Sequence, residues 1–354
     1  MTAPVLIVGG YGVVGLQLAQ IIRNRHPDLP LILAGRTEAR AKEAARKLGN
    51  ATGAIVDVTN AAPLAGISSD ISAIVGAVND PSDHLLRTAI DTQTPYLDFT
   101  RWTERFLQAR QLAEKLSPKS PVTFASSWMA GVAAIVAKAT ADMLETAHSI
   151  DTSILFRLAD KAGPNSVEYA DRLNIPFRVW KNRQWHKAKP LTESMNVVFP
   201  SGDTLAVSRF DEPSQETLVE ATGAYSVSSR IGYDDPSTTR SLKILVRSGL
   251  WTLISGSWFK KLRHSILYQP GEGAAHEIVI DVTGPKSSSK ATILDPQGQT
   301  HLTAVGAYIQ LRETIGLGDS LRRSPGIYLP EHATDTDLAL QVLREEGVKV
   351  AILE

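Results

Sequence analysis

The sequence predicts an α/β protein: a Rossmann-type, doubly wound parallel sheet, followed by a second α+β domain on a mainly antiparallel or mixed sheet. Three observations support this fold class. An apolar, β-branched run, Val5-Leu6-Ile7-Val8, ends abruptly at a glycine-rich turn. Through about the first 150 residues, strand-like runs alternate with helical stretches, which is typical of a parallel sheet covered on both faces. Beyond that point strands follow one another in runs, which indicates a different architecture.

The glycine turn has the spacing G-x-G-x-x-G between a strand and an amphipathic helix. In that context Gly10 allows a tight turn, Gly12 lets a pyrophosphate approach the backbone, and Gly15 lets the helix pack against the strand. The helix amino terminus then faces the phosphates with free N–H groups. A plain βα turn without a ligand is the alternative. The predicted cofactor-binding residues of this turn are Gly9, Gly10, Tyr11, Gly12, Val13, Val14 and Gly15.

The remaining elements follow from hydrophobic periodicity and turn residues. In the first domain, strands are predicted at 31–34, 54–56, 71–78, 96–99 and 122–125, and helices at 38–48, 82–90, 104–116 and 129–144. In the second, a strand at 154–156 precedes hairpins at 177–186 and 197–207 and strands at 224–229, 276–282 and 290–294. A helix at 301–315, a helix at 335–345 and a strand at 348–352 close the chain. The predicted domains are 1–148, the first part of the Rossmann domain, 149–300, a substrate and dimerisation domain, and 301–354, a segment that returns to the Rossmann domain.

Composition limits the function classes. The chain has 354 residues, too many for one typical core, and equal numbers of basic and acidic residues, 37 each, which argues against a nucleic-acid partner. Cysteine is absent, which excludes thiolate metal sites and cysteine nucleophiles and suits a reducing compartment. No metal site is predicted. Because the first strand starts without a basic, apolar leader, a cytoplasmic location is expected.

One apolar stretch has a basic border. Residues 248–263 contain Trp251, Leu253, Ile254, Trp258 and Phe259 between Arg247 and Lys260-Lys261. Such a segment suits weak contact with a membrane surface, or a cover over an apolar substrate. A buried or subunit-facing helix is the favoured interpretation.

The residues that follow strand two favour NADP over NAD. An acidic residue at this point would bind the ribose 2′-hydroxyl, whereas an arginine accommodates a 2′-phosphate. Here the sequence is Gly35-Arg36-Thr37, with Arg40 one turn into the next helix. A solvated arginine with no role in selectivity is the alternative. Further cofactor contacts are predicted after strands three and four, at Asp57, Val58, Val78 and Asn79, although Asp57 also suits a turn cap.

Several stretches resemble the NADP-binding domain of the saccharopine dehydrogenase-like family. They are Val8 to Gly15, Leu33-Ala34-Gly35-Arg36, Asp57-Val58-Thr59, Tyr96-Leu97-Asp98-Phe99-Thr100 and the tail from Ser324 to Glu331. The resemblance implies a Rossmann domain, a substrate domain inserted before the returning helices, usually a homodimer, and reductases that make or cleave C–N bonds of amino-acid-derived imines. It also implies enoyl reductases of lipid or polyketide chains. The chain departs from the amino-acid branch after strand six, where Ser126-Ser127-Trp128-Met129-Ala130-Gly131 replaces a glycine- or proline-rich segment.

Candidate catalytic residues lie at the carboxyl ends of strands, which converge on the nicotinamide in this fold. Asp98 is predicted to bind a cationic amine, with capping of the next helix as its structural alternative. Tyr96 is expected on the opposite side of strand five, and His84 is a candidate proton donor or else a surface histidine. The predicted substrate-side residues are Thr100, Trp102, Ser127, Trp128 and Met129. Lys161, Tyr169 and His276 are further candidates in the second domain.

Other reaction classes lack their motifs. No Gly-Lys-Ser/Thr follows the glycines, no tyrosine precedes a lysine by four positions, and neither His-Glu-x-x-His nor Gly-x-Ser-x-Gly occurs. Three hypotheses remain. The first is an NADP-dependent oxidoreductase of a small amine- or carboxylate-bearing substrate, for which Arg157, Lys161 and Arg172 would line a polar pocket. The second is an enoyl-type reductase of an apolar chain, and the third is a non-catalytic NADP-binding regulator.

Overall fold

A computed structural model of the chain describes residues 3–67, 70–160, 172–253 and 273–353. It divides into two compact units. The first comprises 1–132 and 303–334, and the second comprises 133–302 and 335–354. The chain therefore passes three times between the units, twice within a helix and once between Thr334 and Asp335.

The first unit contains a seven-stranded parallel sheet in the order β15-β6-β5-β4-β1-β2-β3. Its strands are β1 (Val5–Val8), β2 (Leu31–Gly35), β3 (Ala51–Ile55), β4 (Ala73–Gly76), β5 (Tyr96–Asp98), β6 (Pro121–Phe124) and β15 (Gly326–Tyr328). The strand order reverses between β1 and β4, which is the switch point at which such sheets bind dinucleotides. The predicted Rossmann sheet is confirmed.

Helices in this unit are α1 (Val13–Arg25), α2 (Glu38–Leu48), α3 (His84–Asp91), α4 (Thr103–Leu116) and α10 (Pro330–Ala333). The first two crossings between the units fall in α5 (Val132–Asp142) and α9 (Gln299–Ile315). Strands β1, β2, β4 and β6 are buried along their whole length, since helices cover both faces of a parallel sheet. One core cluster packs Leu6, Ile74 and Tyr96 against Phe106 and Phe124.

The second unit is built on a mixed sheet of nine strands, as predicted. Its main path is β10-β11-β12-β7-β13-β14-β16, and the β8–β9 hairpin joins at β12. The strands are β7 (Ser149–Phe156), β8 (Phe177–Lys181), β9 (Gln184–Ala188), β10 (Met195–Val198), β11 (Thr204–Arg209), β12 (Ser226–Tyr233), β13 (His276–Thr283), β14 (Ser288–Asp295) and β16 (Lys349–Leu353). Helices α6 (Ser214–Thr222), α7 (Pro236–Arg247), α8 (Leu250–Leu253) and α11 (Thr336–Glu345) complete the described elements. Alternation along β7 and β13 places Ile150, Ile154, Ile278 and Ile280 on one buried face.

Several boundaries differ from the sequence prediction, such as that of β3, predicted at 54–56 and observed at Ala51–Ile55. Two further differences have a clear structural reason. The helix predicted at 129–144 begins only at Val132, because Met129, Ala130 and Gly131 have φ values of 57°, 50° and 94°, in the left-handed region. Only part of the predicted returning segment, 301–354, belongs to the unit that contains the Rossmann sheet. Residues 335–354 belong to the second unit, since β16 pairs antiparallel with β14. Among the described residues, no helix has the length and apolar content that crossing a bilayer requires.

Candidate functional site

The glycine turn after β1 is a tight loop held by backbone hydrogen bonds. The Gly9 amide donates to the Ala34 carbonyl at 2.8 Å, and the Gly12 amide donates to the Gly9 carbonyl at 2.8 Å. The left-handed position is Gly9, with φ of 90°, so Gly9 makes the turn that the sequence analysis assigned to Gly10. A Cβ on Gly15 would lie 2.3 Å from the Gly9 carbonyl oxygen. The close approach of α1 to the turn therefore requires glycine at position 15.

The amino terminus of α1 is well suited to an anion. Gly12 is its N-cap residue, no side chain caps it, and no acidic residue lies in the first turn. The first four N–H groups of a helix have no partner within the helix, and the helix dipole adds positive potential there. The Gly12 amide donates to the Gly9 carbonyl, so the amides of Val13, Val14 and Gly15 are the donors that remain at the switch point of the sheet, where a pyrophosphate would bind.

The carboxyl end of β2 is basic. Arg36 and Arg40 are exposed, and Glu38, the one acidic residue of the first turn of α2, pairs with Lys42 at 2.7 Å. Tyr11 reaches this edge from the glycine turn, and its hydroxyl accepts a hydrogen bond from the Thr37 amide at 3.1 Å. The predicted group of Tyr11, Gly35, Arg36, Thr37 and Arg40 therefore lies together in space.

The predicted contacts after β3 and β4 lie along the same edge. The Asp57 carboxylate accepts from both the amide and the hydroxyl of Thr59, which lowers the pKa of Asp57. Asp57 thus caps a turn, the structural alternative in the sequence analysis. Val58 and Val78 pack against the core, and Val78 lies beside Gly9. Asn79 follows directly, in the loop between β4 and α3.

Asp98 lies in a buried polar network below the carboxyl end of β5. Its Oδ2 accepts from the Tyr96 hydroxyl at 2.9 Å and from Arg101 Nε at 2.7 Å, and its Oδ1 accepts from Ser126 Oγ at 3.2 Å. The Thr100 amide donates to the same Oδ1 at 3.3 Å. With 1% of its surface exposed, Asp98 is held by groups of its own chain. It is not placed to bind a substrate amine as predicted.

Tyr96 belongs to the same network, and its predicted orientation is wrong. Residues two apart on a strand share a face, so Tyr96 and Asp98 point the same way and bond to each other. Burial raises the pKa of Tyr96 well above its usual value, and the neighbouring Asp98 carboxylate adds to the shift. The Tyr96 phenol is fully buried, which does not suit the predicted role in proton transfer.

Sequence reasoning missed the arginine that completes this network. Arg101 binds Asp98 and, through Nη1, Asp83, while Arg105 Nη2 binds the other Asp83 oxygen at 2.9 Å. Burial alone would lower the pKa of Arg101, but Asp98, Tyr96 and Asp83 outweigh burial and raise it. The sequence does contain a signal for this network: acidic residues follow β4, and basic residues follow β5, its neighbour in the sheet.

His84, a predicted catalytic residue, uses one of its two ring nitrogens in a hydrogen bond within the described residues and leaves the other for a substrate. Its amide is capped by Asp80 Oδ1 at 3.1 Å, and its Nδ1 lies 3.0 Å from the Val58 carbonyl oxygen. Because a carbonyl only accepts, Nδ1 carries the proton, and in the neutral ring Nε2 is an acceptor. The ring is half-buried and held between the loops that follow β3 and β4.

The predicted substrate-side residues lie along the neighbouring strand ends. Thr100 Oγ1 donates to the Val78 carbonyl at 2.9 Å, and Trp102 is the N-cap residue of α4. Ser127 is buried, and its hydroxyl has no hydrogen-bond partner in the described parts of the chain. Trp128 is half-buried, while Met129 is 7% exposed and accepts from Thr303 Oγ1 at its sulfur, 3.2 Å away.

Comparison with known proteins supports the fold. No protein-family model matches the chain, and no curated protein matches its sequence. The solved structure of apo saccharopine dehydrogenase (L-Glu forming) from Saccharomyces cerevisiae aligns with a TM-score of 0.73 over 100% of both chains, at 12% identity. The chain has the saccharopine dehydrogenase-like fold. A myo-inositol dehydrogenase from Corynebacterium glutamicum and a scyllo-inositol dehydrogenase from Lactobacillus casei align at TM-scores of 0.45 and 0.47, with 13% and 11% identity. The two alignments cover 100% and 99% of this chain, respectively, and each covers 99% of the inositol dehydrogenase.

In the second unit of this saccharopine dehydrogenase-like fold, several predicted residues have structural roles. Arg157 Nη2 binds Glu277 at 2.6 Å and Asp203 at 2.9 Å, so its charge is neutralised within the chain. His276 is fully buried, and burial lowers its pKa to about 3. Lys161, Tyr169 and most of segment 248–263 lie outside the described residues.

In the described part of that segment, residues 248–253, the side chain of Trp251 is buried, whereas Leu250 is 47% exposed. Trp251 is 0% exposed and packs in a cluster with Leu173, Leu191 and Leu242. Among the residues that the structure describes, no group of histidine, aspartate and glutamate side chains could hold a metal ion.

Proposed function

We propose that this chain is an NADP-dependent oxidoreductase that transfers hydride between NADP(H) and a C=N or C=O group of a small amine- or carboxylate-bearing metabolite. The observation that carries the proposal is the pairing of an uncapped α1 terminus, at the sheet's switch point, with Arg36 and Arg40 at the end of β2. The first feature fits a pyrophosphate, and the second fits the 2′-phosphate of adenosine. NADP(H), when bound, supplies or accepts the hydride.

The choice of NADP rests on charge at the end of β2. Arg36 offers a planar fork of donors to a phosphate, and Arg40 lies one turn away. No carboxylate at this position is available to bind a ribose hydroxyl, because the nearby Glu38 carboxylate pairs with Lys42. Arg36 is also close enough to Asp57 to contribute to lowering the pKa of that carboxyl.

A C=N acceptor fits the described residues better than a C=O acceptor. Tyr96 and Asp98 are held inside the Arg101 network and do not present a proton at the surface of the site. An iminium ion already carries its proton when hydride arrives, whereas a carbonyl oxygen needs a donor in the transition state. His84 Nε2 and the Ser127 hydroxyl are the groups that we assign to the substrate side.

An apolar chain is the second candidate for the substrate, and Trp128 and Met129 favour it. Both follow β6 at the carboxyl edge, and Trp128 keeps part of its surface exposed. Trp251 no longer supports this candidate, because it is a core residue. The yeast enzyme's name refers to saccharopine, an amino-acid-derived amine, and that supports the first candidate by fold likeness alone. A homodimer stays a prediction.

The first experiment measures cofactor selectivity. Titration with NADPH and NADH, followed by calorimetry or tryptophan fluorescence, should give tighter binding of NADPH. Arg36→Ala should weaken NADPH by about ten-fold or more and leave NADH nearly unchanged, since charged hydrogen bonds contribute about 1.5–3 kcal/mol. Arg46→Ala, at an exposed arginine in the last turn of α2, is the matched control. Equal affinities for both nucleotides in the unaltered protein would reject the NADP assignment.

The second experiment tests turnover. NADPH oxidation is followed with imines formed from 2-oxo acids and primary amines, and separately with α,β-unsaturated acyl thioesters. The proposal expects oxidation with members of the first panel. Oxidation with the thioesters alone would support the enoyl-type reductase, and tight NADPH binding without oxidation in either panel would support a regulator.

A further inference from the structure

Tyr11 occupies a defined place between the glycine turn and the end of β2. Its ring lies directly over Gly35, since a Cβ built on Gly35 would come within 2.6–2.7 Å of the ring and hydroxyl atoms of Tyr11. Only glycine leaves room for the ring at this position. On the phenol, the hydroxyl oxygen accepts from the Thr37 amide at 3.1 Å. The ring is therefore fixed at two points before any ligand arrives.

The hydrogen of that phenol remains available. A tyrosine hydroxyl has one hydrogen to donate, and its oxygen accepts through its lone pairs. Because the Thr37 amide is the donor in their bond, the Tyr11 hydrogen points elsewhere. Within the described residues it finds no acceptor, and Tyr11 is half-buried rather than fully solvated. An O–H donor is thus held at the point where the chain turns from β2 into α2.

Arg40 is held beside the same ring. The guanidinium carbon of Arg40 lies 4.7 Å from the centroid of the Tyr11 ring, within the range of cation–π attraction. Stacking on an aromatic face restricts a long, flexible side chain, so less entropy is lost when the guanidinium later binds an anion. The Tyr11 ring therefore positions a second cation next to Arg36.

We infer that Tyr11 is a specificity-determining residue of the adenosine 2′-phosphate site. Its hydroxyl donates to the phosphate, and its ring orients Arg40 toward the same group. The inference rests on the proposed NADP dependence and adds what arginine alone does not supply, a neutral donor with fixed direction. A hydroxyl at the ribose 2′ position would gain little from this arrangement, because it carries no charge for Arg36 and Arg40 to neutralise.

The test separates the two functions of Tyr11. Tyr11→Phe keeps the ring and removes the donor, and we expect about ten-fold weaker binding of NADPH with NADH changed by less than about two-fold. Tyr11→Ala also removes the support of Arg40, so its loss of NADPH affinity should exceed that of Tyr11→Phe. Tyr328→Phe, which removes a tyrosine hydroxyl bonded to the Ser324 carbonyl at the edge strand β15, is the matched control.

Two further measurements keep the outcome interpretable. The same variants are titrated with 2′,5′-ADP and with 5′-AMP, which isolate the phosphate contribution without the nicotinamide half. A double-mutant cycle of Tyr11→Ala and Arg40→Ala should give a combined effect smaller than the sum of the single effects, since Arg40→Ala removes the guanidinium and Tyr11→Ala removes the ring that positions it. Circular dichroism checks that each variant is folded.

The results distinguish failure of this inference from failure of the proposed function. If the unaltered protein binds NADPH and NADH equally, the NADP assignment fails and the role of Tyr11 fails with it. If it prefers NADPH and responds to Arg36→Ala, but Tyr11→Phe binds 2′,5′-ADP like the unaltered protein, then the hydroxyl has no part in recognition. Additive effects in the cycle would overturn the positioning of Arg40 by the ring.

Discussion

Arg101 Nε lies 2.7 Å from Asp98 Oδ2, and each of these side chains is 1% exposed. The pair joins the carboxyl end of β5 to the loop before α4, and Asp83 extends it to the loop that leads into α3. Each of two charges buried in this way relies on the other for its stabilisation, because water cannot solvate either of them. The network thus fixes two of the loops that surround the proposed site. The Asp98 carboxylate therefore stabilises these loops and is not free to bind a substrate.

The first prediction concerns the stability of that network. Arg101→Met should lower the free energy of unfolding by about 3–5 kcal/mol, since it leaves the buried Asp98 carboxylate without its cation and leaves Asp83 with Arg105 alone. The measurement is chemical denaturation at neutral pH. Lys47→Ala, which breaks the exposed Lys47–Glu43 pair, should change the free energy of unfolding by less than about 1 kcal/mol. Similar changes for both variants would contradict a buried, interdependent pair.

The sequence predicts the Rossmann half of the molecule well because its signals are local. An apolar strand, a glycine turn and a basic residue after β2 lie within 40 positions of the amino terminus, and each has a direct structural consequence. The Asp98 network could not be predicted in the same way. Whether a strand-end carboxylate faces a ligand or an arginine depends on contacts between segments distant in the chain, such as Asp83 with Arg101.

The second unit shows the same limit at the level of topology. Both hairpins were found, since a hairpin is encoded by two neighbouring runs and a turn. The pairing of β16 with β14 was missed, because the two strands are more than 50 residues apart and other elements lie between them. Similarly, no local pattern predicts three consecutive left-handed residues before α5. Tertiary packing decides such features.

A second prediction follows from the close approach of α1 to the glycine turn. Gly15→Ala should weaken binding of NADPH and NADH alike, by about ten-fold or more, because the new Cβ would lie 2.3 Å from the Gly9 carbonyl oxygen and must displace the loop. Titration with both nucleotides measures this. Gly66→Ala, where a Cβ meets nothing within 4 Å, is the control and should bind both like the unaltered protein. Selective loss of one nucleotide at position 15 would argue against a shared pyrophosphate site.

A third prediction tests His84 Nε2 as the acceptor that orients the N–H group of the iminium substrate. His84→Asn can keep a donor to the Val58 carbonyl but lacks Nε2, so we expect kcat/KM for the imine to fall by about ten-fold or more while NADPH binding is retained. His84→Ala removes both functions and should also lower the melting temperature. Steady-state kinetics with a substrate from the imine panel provides the measurement, and His332→Asn is an exposed control. If His84→Asn retains the kcat/KM of the unaltered protein, His84 only fixes the loop at Val58.

The last prediction is a pH dependence of stability set by His276. Burial lowers the pKa of His276 to about 3, while in the unfolded chain it has the ordinary value of 6.5. The folded protein therefore holds the ring neutral, and the unfolded chain takes up a proton as the pH falls below 6.5. This contribution to stability is complete above pH 6.5 and is lost toward pH 3, at a rate approaching about 1.4 kcal/mol for each pH unit.

His276→Gln removes the titration and retains a polar side chain, so its free energy of unfolding should fall less steeply with pH than that of the unaltered protein. Urea denaturation at several pH values between 6.5 and 4.5 gives both slopes, and the comparison of slopes is independent of any constant loss of stability. His186→Gln, on the exposed strand β9, should have the slope of the unaltered protein. Equal slopes of unfolding free energy against pH for the unaltered protein and His276→Gln would contradict this prediction. They would mean that the folded and unfolded states bind protons equally at His276, in spite of its complete burial on β13, between β7 and β14.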